Sequence, residues 1–600
     1  MRRAAAIALG LAGCSEVPTP PAGGADPTFA RDIAPIVFAH CTPCHRPGQV
    51  TPFPFLTYED VRKRSRQIAE VTASGYMPPW LPVEGFGHFV GERRLGAGQI
   101  ALLSRWADAG APEGDPADLP PTPTFPDGWI LGEPDLVVTP PEPFPLPASG
   151  RDIYQNIVIP DVTATPHFVR AIAFDPGDTR SIHHAFVLVD PSDQSAALDA
   201  ATPEPGFPGM EVGPGAQAPD GHFIGWQPGK TPHTAPEGMA WRLPAGADVV
   251  LQLHMRTTGK PESVQPQVAF YFTAAAPTRA ATKLVLATRE IDIPAGATGH
   301  AVGATYRVPV DINVLGVVPH AHYLGDDLHV FATLPDGTKR WIIRIDDWDF
   351  DWQGDYQFAS PLPIPAGSVI TQRFTFDNSA TNPANPNSPP KRVTYGLNST
   401  DEMAEAWLQV IPTRPADLPA LQRDFTRHML ARHRTDLERK LAAGTLDVRG
   451  YLDLARILLP DRPPAEVSRL IATAAKLDPD SPEPPYLMGM VYVRAGQLPN
   501  ARPHFERALS ADPRHLGANN AMGNLSLGDG SPALALEYYR TAAAAHPEDA
   551  TSQANTGLAL LKLGLPDEAV SPLQKALEIS PGHQAAAANL RRALADAGHR

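Results

Sequence analysis

From Pro479 to Pro581 the chain repeats itself every 34 residues, and that period restricts its C-terminal part to stacked copies of one small unit. Pro479, Pro513, Pro547 and Pro581 keep the spacing. So do Gly489, Gly523 and Gly557, the trio Ala501, Ala535 and Ala569, and the trio Ala508, Ala542 and Ala576. Phe505, Tyr539 and Leu573 fill one more register. Small residues recur at fixed places, and proline, which breaks helices, recurs with them. A unit this short cannot bury its apolar face alone, so successive copies must stack.

This pattern resembles tetratricopeptide repeats over about 482 to 583, with a degenerate copy before and a capping helix after. Composition turns to Ala, Leu, Arg and Glu beyond Pro412, and Leu418 to Ala443 reads as a helix. Residues 418–600 are therefore expected to form a helical linker and an α-helical solenoid. The resemblance implies a protein partner on a concave face without naming it.

Six hundred residues exceed what one core supports, so further domains are expected upstream. The net charge of -15, with no basic stripe, argues against nucleic acid as a partner. No internal run of about 18 apolar residues marks a membrane span.

The three cysteines can all be assigned. Cys14 closes Leu11-Ala12-Gly13-Cys14 after Arg2-Arg3 and a short apolar run. Residues 1–14 resemble a bacterial lipoprotein signal, which implies export and lipidation of Cys14; an ordinary secretory signal with a chance cysteine is the alternative. Ser15 after the cysteine implies by the same resemblance an outer-membrane anchor, with the protein facing the periplasm. A tether rich in Pro, Gly and Ala follows, up to Pro27.

Cys41-Thr42-Pro43-Cys44-His45 is a C-x-x-C-H motif. Two thiols add to the vinyl groups of one covalently bound haem c and the adjacent His45 ligates its iron. A bare redox C-x-x-C would need a surrounding βαβ pattern, which is missing. Helices are expected over Ala30 to His40, Tyr58 to Ser74 and Ala97 to Ala109. The layout of 28–111 resembles the small all-α class I cytochromes c. The loop before the third helix offers Met77 as sixth ligand, with His88 as its competitor. Residues 112–150 read as a stiff linker, with twelve prolines between 112 and 147. Trp129 to Gly132 and Leu136-Val137-Val138 are placed to pin it against the next domain.

From 151 to 412 short β-rich runs alternate with turn residues, which suggests two tandem antiparallel sandwiches, 151–276 and 277–412. Both carry grouped histidines. His320 and His322 of Pro319-His320-Ala321-His322 would share one face of a strand. Met403 of Thr400-Asp401-Glu402-Met403 would add a soft thioether that favours Cu(I) over Zn(II). Upstream, His183-His184 and the His254 of Leu251-Gln252-Leu253-His254 could supply three imidazoles to a second metal. With 20 histidines, chance alone gives on the order of one His-His and one His-x-His, so each motif is weak by itself.

Taken in order, these motifs resemble the copper type II monooxygenases, the family of peptidylglycine α-hydroxylating monooxygenase and dopamine β-monooxygenase. The resemblance covers about 151 to 412. It implies two jelly-roll-like copper domains, an electron-transfer copper on His183, His184 and His254, and an oxygen-activating copper on His320, His322 and Met403. It further implies two bound copper ions, O2 as co-substrate, hydroxylation of a C–H bond and an ascorbate-like or protein electron donor. The family's substrate-binding Arg falls at Val318, and its Asn and Tyr after the Met fall at Glu405 and Trp407. A glycine-extended peptide is therefore not the expected substrate, which stays a small molecule or peptide of unknown kind. Two other outcomes stay open: a copper and haem electron-transfer lipoprotein without hydroxylase activity, and an iron-dependent sandwich oxygenase.

Overall fold

The computed structural model describes residues 26–598 except 48–50, 126–127, 179, 193, 214, 220–221, 223–224, 228–229 and 581. The expected signal 1–14 with Cys14, nearly all of the tether, and Pro581 lie outside the described residues.

The first part is a small helical module. A π-helical turn, Phe29–Ile33, runs straight into Ala34–His40; Tyr58–Arg62, Ser65–Ala73 and Ala97–Asp108 follow. The expected single helix over 58–74 is broken at Lys63-Arg64. Phe29, Ile33, Val37, Leu103 and Trp106 form its core. Tyr58 Oη and Trp106 Nε1 donate to the carbonyls of Ala111 and Pro112, and the N–H groups of Phe29 and Ala30 donate to Pro112 and Glu113, tying the exit of the module to its entry.

The next stretch differs from the expected 112–150 linker. Leu136–Val138 pairs antiparallel with Gln267–Thr273, and Phe144–Leu146 pairs with Glu262–Val264. Trp129 and Leu131 pack on Ala171, Ala269 and Tyr271. The second half of the proline-rich segment is thus edge structure of the first sandwich, whose alternating apolar residues found partners that proline could not block at an edge.

The β-rich middle consists of two layered bodies. In the first, a five-stranded sheet runs in the order Phe207–Pro208, Ile153–Ile159, Asp248–Met255, Ile182–Asp190, Gly225–Trp226. It faces a four-stranded sheet, and Leu243, Val249, Leu251, Leu253, Val268 and Phe270 fill the space between. In the second, one sheet runs Thr282–Ala287, Glu405–Pro412, Ile312–His320, Tyr356–Ile364. The facing sheet holds His300–Arg307, Val369–Phe376, Gly325–Thr333 and Lys339–Ile345. Val314, Leu328, Val330, Phe374 and Leu408 are buried between them.

The helical module is packed directly on the second sandwich. Val83 N–H donates to Arg344, Val90 N–H to Gln357, and Ala359 N–H to His88, while Phe89 forms a bridge to Phe358 and enters the sandwich core. Contact of this loop, and not linker stiffness alone, sets the spacing of the two parts.

Helix Leu418–Ala443 buries Leu421 in the second sandwich and ends at Gly444, whose φ of 69° caps it in the left-handed region. A helix pair, Val448–Leu458 and Pro464–Leu477, precedes three further pairs and the closing helix Gln584–Asp596. The 34-residue period now has its physical cause. A Cβ at Gly489 would collide with the Phe505 ring, at Gly523 with Tyr539 and at Gly557 with Leu573. Each first helix gives up a side chain where the second inserts its large one. Among the described residues no helix is long and apolar enough to cross a membrane.

Candidate functional site

Strand pairing builds the first imidazole group. His254 lies in the central strand Asp248–Met255, opposite His184 on one side and Tyr154 on the other. Adjacent residues such as His183 and His184 would ordinarily point to opposite faces of a strand. Here the register shifts between Ile182 and His184. That bulge turns His183 toward its neighbours. One donor atom from each of the three rings lies within 4.8 Å of the others.

Hydrogen bonds fix which nitrogen is free. The His254 Nε2–H donates to the Asp152 carboxylate at 2.8 Å, since a carboxylate accepts. That leaves the Nδ1 lone pair facing His184 Nε2 at 3.1 Å. An ion bound at about 2.0–2.1 Å would hold two nitrogens about 3 Å apart. The Nδ1 atoms of His183 and His184 are buried without a hydrogen-bond partner. Burial and the neighbouring imidazoles hold His184 well below the ordinary histidine range, and burial, against the pull of Asp152, brings His254 down to about 4. Neutral rings with unused nitrogens are what a metal ion requires.

The second group sits at the end of strand Ile312–His320. His320 closes the strand and His322 lies just beyond it, so the expected single-strand geometry holds for only one of the two. The rings are 5.2 Å apart and nearly perpendicular. His320 Nδ1–H donates to Gln353 Oε1 at 2.7 Å, and His322 Nδ1–H to the Asp401 carbonyl at 3.1 Å, which frees both Nε2 atoms. Burial, then the charge of His320, takes His322 down to about 3. The segment bearing Met403 runs alongside: buried Glu402 accepts from the backbone N–H groups of His322, Leu324 and Met403. Burial pushes that carboxyl up to about 8 despite three donors. Met403 is buried beside it. Two imidazoles and a thioether, if brought onto one ion, would be a soft donor set.

The third element is an apolar cleft of ≈ 890 Å³ in the helical module, lined by His40, Cys41, Cys44, His45, Met77 and Trp352 among others. His45 Nδ1–H donates to the Phe53 carbonyl at 3.3 Å and its ring stacks on Phe55, leaving Nε2 free. Burial pushes the Cys41 thiol up to about 12, so it is protonated. Met77 lines the cleft, and His88 is not among the residues that line it.

Several contributors carried no sequence signal: Asp152 and Gln353 lie far along the chain from the rings they orient, and Phe350 and Trp352 belong to a single turn of 3-10 helix. Glu402 did have one, as the middle of Asp-Glu-Met. Of the remaining histidines, His222 and His233 line a separate cleft of ≈ 780 Å³. His329 stands with Asp327 and Asp346, but Asp346 is already paired with Arg344 at 2.6 Å and half-exposed.

The comparisons with known proteins concern the tail. The profile described as tetratricopeptide repeat matches residues 486–526 and 520–584. The C-terminal region is built of such repeats. BBSome complex member bbs-4 of Caenorhabditis elegans is 30% identical over 109 residues, 18% of this chain and 24% of that protein, so the chain spans about a quarter of its length. YrrB, described as a TPR protein with an unusual peptide-binding site, is 25% identical, covering 27% of this chain and 84% of its own at a TM-score of 0.24. MamA 41-end from Desulfovibrio magneticus RS-1 is 24% identical, covering 25% and 86%, at 0.23.

Proposed function

We propose that this chain is an exported copper-dependent monooxygenase that hydroxylates a C–H bond with O2, supplied with electrons by its own c-type haem. The observation that supports it most is the preparation of five imidazoles from distant parts of the chain. His320 and His322 each have one nitrogen committed to an acceptor and the other left open, His254 has Nε2 committed to Asp152 and Nδ1 turned to His184 Nε2 at 3.1 Å, and His183 and His184 carry buried Nδ1 atoms with no partner.

Bound copper would supply one-electron redox chemistry and activation of O2. The chain's own residues then have distinct tasks. His183, His184 and His254 hold one ion, with Asp152 fixing the His254 tautomer. His320, His322 and Met403 hold the other, with Gln353, Glu402 and the Asp401 carbonyl fixing the ring and backbone positions. Cys41 and Cys44 would attach the haem, and His45 and Met77 would ligate its iron. Overall, R–H, O2, two electrons and two protons give R–OH and water. The repeats offer a docking surface for a protein, and Cys14 carries a lipid anchor. The test is metal analysis with copper EPR on haem-loaded protein, followed by substrate-linked O2 uptake. Two coppers per chain are expected; iron in their place, or no metal, overturns the proposal.

One contact favours a second function. Phe350 packs on His183 and on His322, each at 5.7 Å between ring centres. Two metals linked in this way could serve electron relay without hydroxylation. Two coppers with no O2 uptake across candidate substrates would support that alternative.

A further inference from the structure

The turn Asp349–Gln353 touches all three candidate redox sites. Phe350–Trp352 forms one turn of 3-10 helix, capped by the Asp349 carboxylate, which accepts from Asp351 N–H at 2.8 Å. The four side chains that follow the cap diverge. Phe350, buried, stacks on the His183 ring at 29°, meets the His322 ring edge-on and lies 4.5 Å from Tyr323. Asp351 reaches His183 Nε2 at 3.7 Å and Arg256 at 3.2 Å, so it bridges both sandwiches. Trp352 lines the cleft that holds Cys41, Cys44, His45 and Met77, and its ring stands 6.2 Å from Tyr76. Gln353 accepts from His320.

We infer that this turn is the electron conduit of the molecule: Trp352 collects an electron at the haem cleft and Phe350 delivers it to the His183 side. The inference rests on the copper and haem assignment proposed above. Tunnelling falls steeply with separation, and the turn joins two aromatic rings, one at each site, through two residues of bonded backbone. The Trp352 indole N–H points the same way, being buried without a hydrogen-bond partner at the cleft wall. A porphyrin carboxylate is an acceptor of the kind it lacks. Each transfer converts one ferrous haem to ferric and one Cu(II) to Cu(I), with no bond made or broken. The haem is then re-reduced by an external one-electron donor.

The turn also explains how one element can couple the sites mechanically. Gln353 holds His320 and Asp351 approaches His183 from the same turn.

The test uses the full chain loaded with haem and copper, fully oxidised and free of O2. A laser-generated flavin semiquinone, in less than stoichiometric amount, reduces the haem. The ferrous band and the Cu(II) EPR signal are then followed. In the unaltered protein the band should decay as the copper signal falls. Trp352→Leu and Phe350→Leu should each slow that decay on the order of tenfold or more, with haem and both coppers still bound. Trp352→Phe, which keeps an aromatic ring, should restore most of the rate. Unchanged decay in both leucine variants, with haem and both coppers bound, overturns the conduit while leaving the copper and haem assignment standing. Absence of any haem-to-copper transfer in the unaltered, fully loaded protein overturns electron supply by the fused haem and the conduit with it.

Discussion

His184 and His254 face each other across two neighbouring strands with Nε2 and Nδ1 3.1 Å apart, and the second nitrogen of His254 is taken by Asp152. Asp152 contributes nothing to a metal directly, yet it decides which nitrogen His254 can offer. Asp152→Ala is therefore expected to weaken copper binding at the three-imidazole group by roughly 10–100-fold. The group at His320 and His322 should be unaffected. A copper titration followed by EPR resolves the two, because only one of the two signals should shift to higher ligand demand.

Glu402 holds the second group from behind. Its two oxygens accept from three backbone N–H groups at 2.9, 2.6 and 3.1 Å, all within the turn that carries His322 and the segment that carries Met403. Glu402→Ala strands these donors in a buried place, at about 1–3 kcal/mol for each unsatisfied group. A lower Tm and loss of the second copper are expected together, while the haem spectrum and the first copper persist. Thermal melting with metal analysis checks both, and a variant that melts normally yet lacks copper would show that Glu402 acts on the metal alone.

How far the fold was legible from sequence follows from the range of the interactions. The repeats were legible because their contacts are local and recur: Gly523 and Tyr539 are sixteen residues apart and in collision range. The histidine motifs could be picked out as groups, but their geometry could not. Alternation along a strand predicts His320 and His322 on one face, whereas the strand ends at His320. It also predicts His183 and His184 on opposite faces, and a bulge brings them together. Bulges and strand ends are set by cross-strand register, which no local pattern encodes. The orienting groups Asp152 and Gln353, and the turn that carries Phe350 and Trp352, were invisible for the same reason. Their roles come from long-range packing, and their residue types are unremarkable in loops.

The repeats should behave as a separate stability unit. Gly523 lies within its helix where a Cβ would meet the Tyr539 ring, and Tyr539 is fully buried. Gly523→Ala overpacks that crossing at a cost of about 1–3 kcal/mol, although alanine is the better helix former. The expected result is a lowered melting transition for the tail, seen by circular dichroism at helical wavelengths. Copper and haem content should not change, since neighbour-to-neighbour stacking carries the damage no further than adjacent repeats.

Met403 separates an oxygenase from a relay. Its side chain is buried, and it follows Glu402 in a segment tied to His322 by two hydrogen bonds, His322 N–H to the Glu402 carboxylate and His322 Nδ1–H to the Asp401 carbonyl. Met403→Leu keeps the volume and removes only the sulfur, so stability should fall by less than about 1.5 kcal/mol. A soft thioether favours Cu(I), whereas two imidazoles alone discriminate less against harder ions. The leucine variant is expected to lose substrate-linked O2 uptake and the sulfur scatterer in copper X-ray absorption. It should keep the haem spectrum and the EPR signal of the three-imidazole copper. If O2 uptake survives in Met403→Leu with both coppers bound, the thioether is only packing, and oxygen chemistry at His320 and His322 does not depend on it.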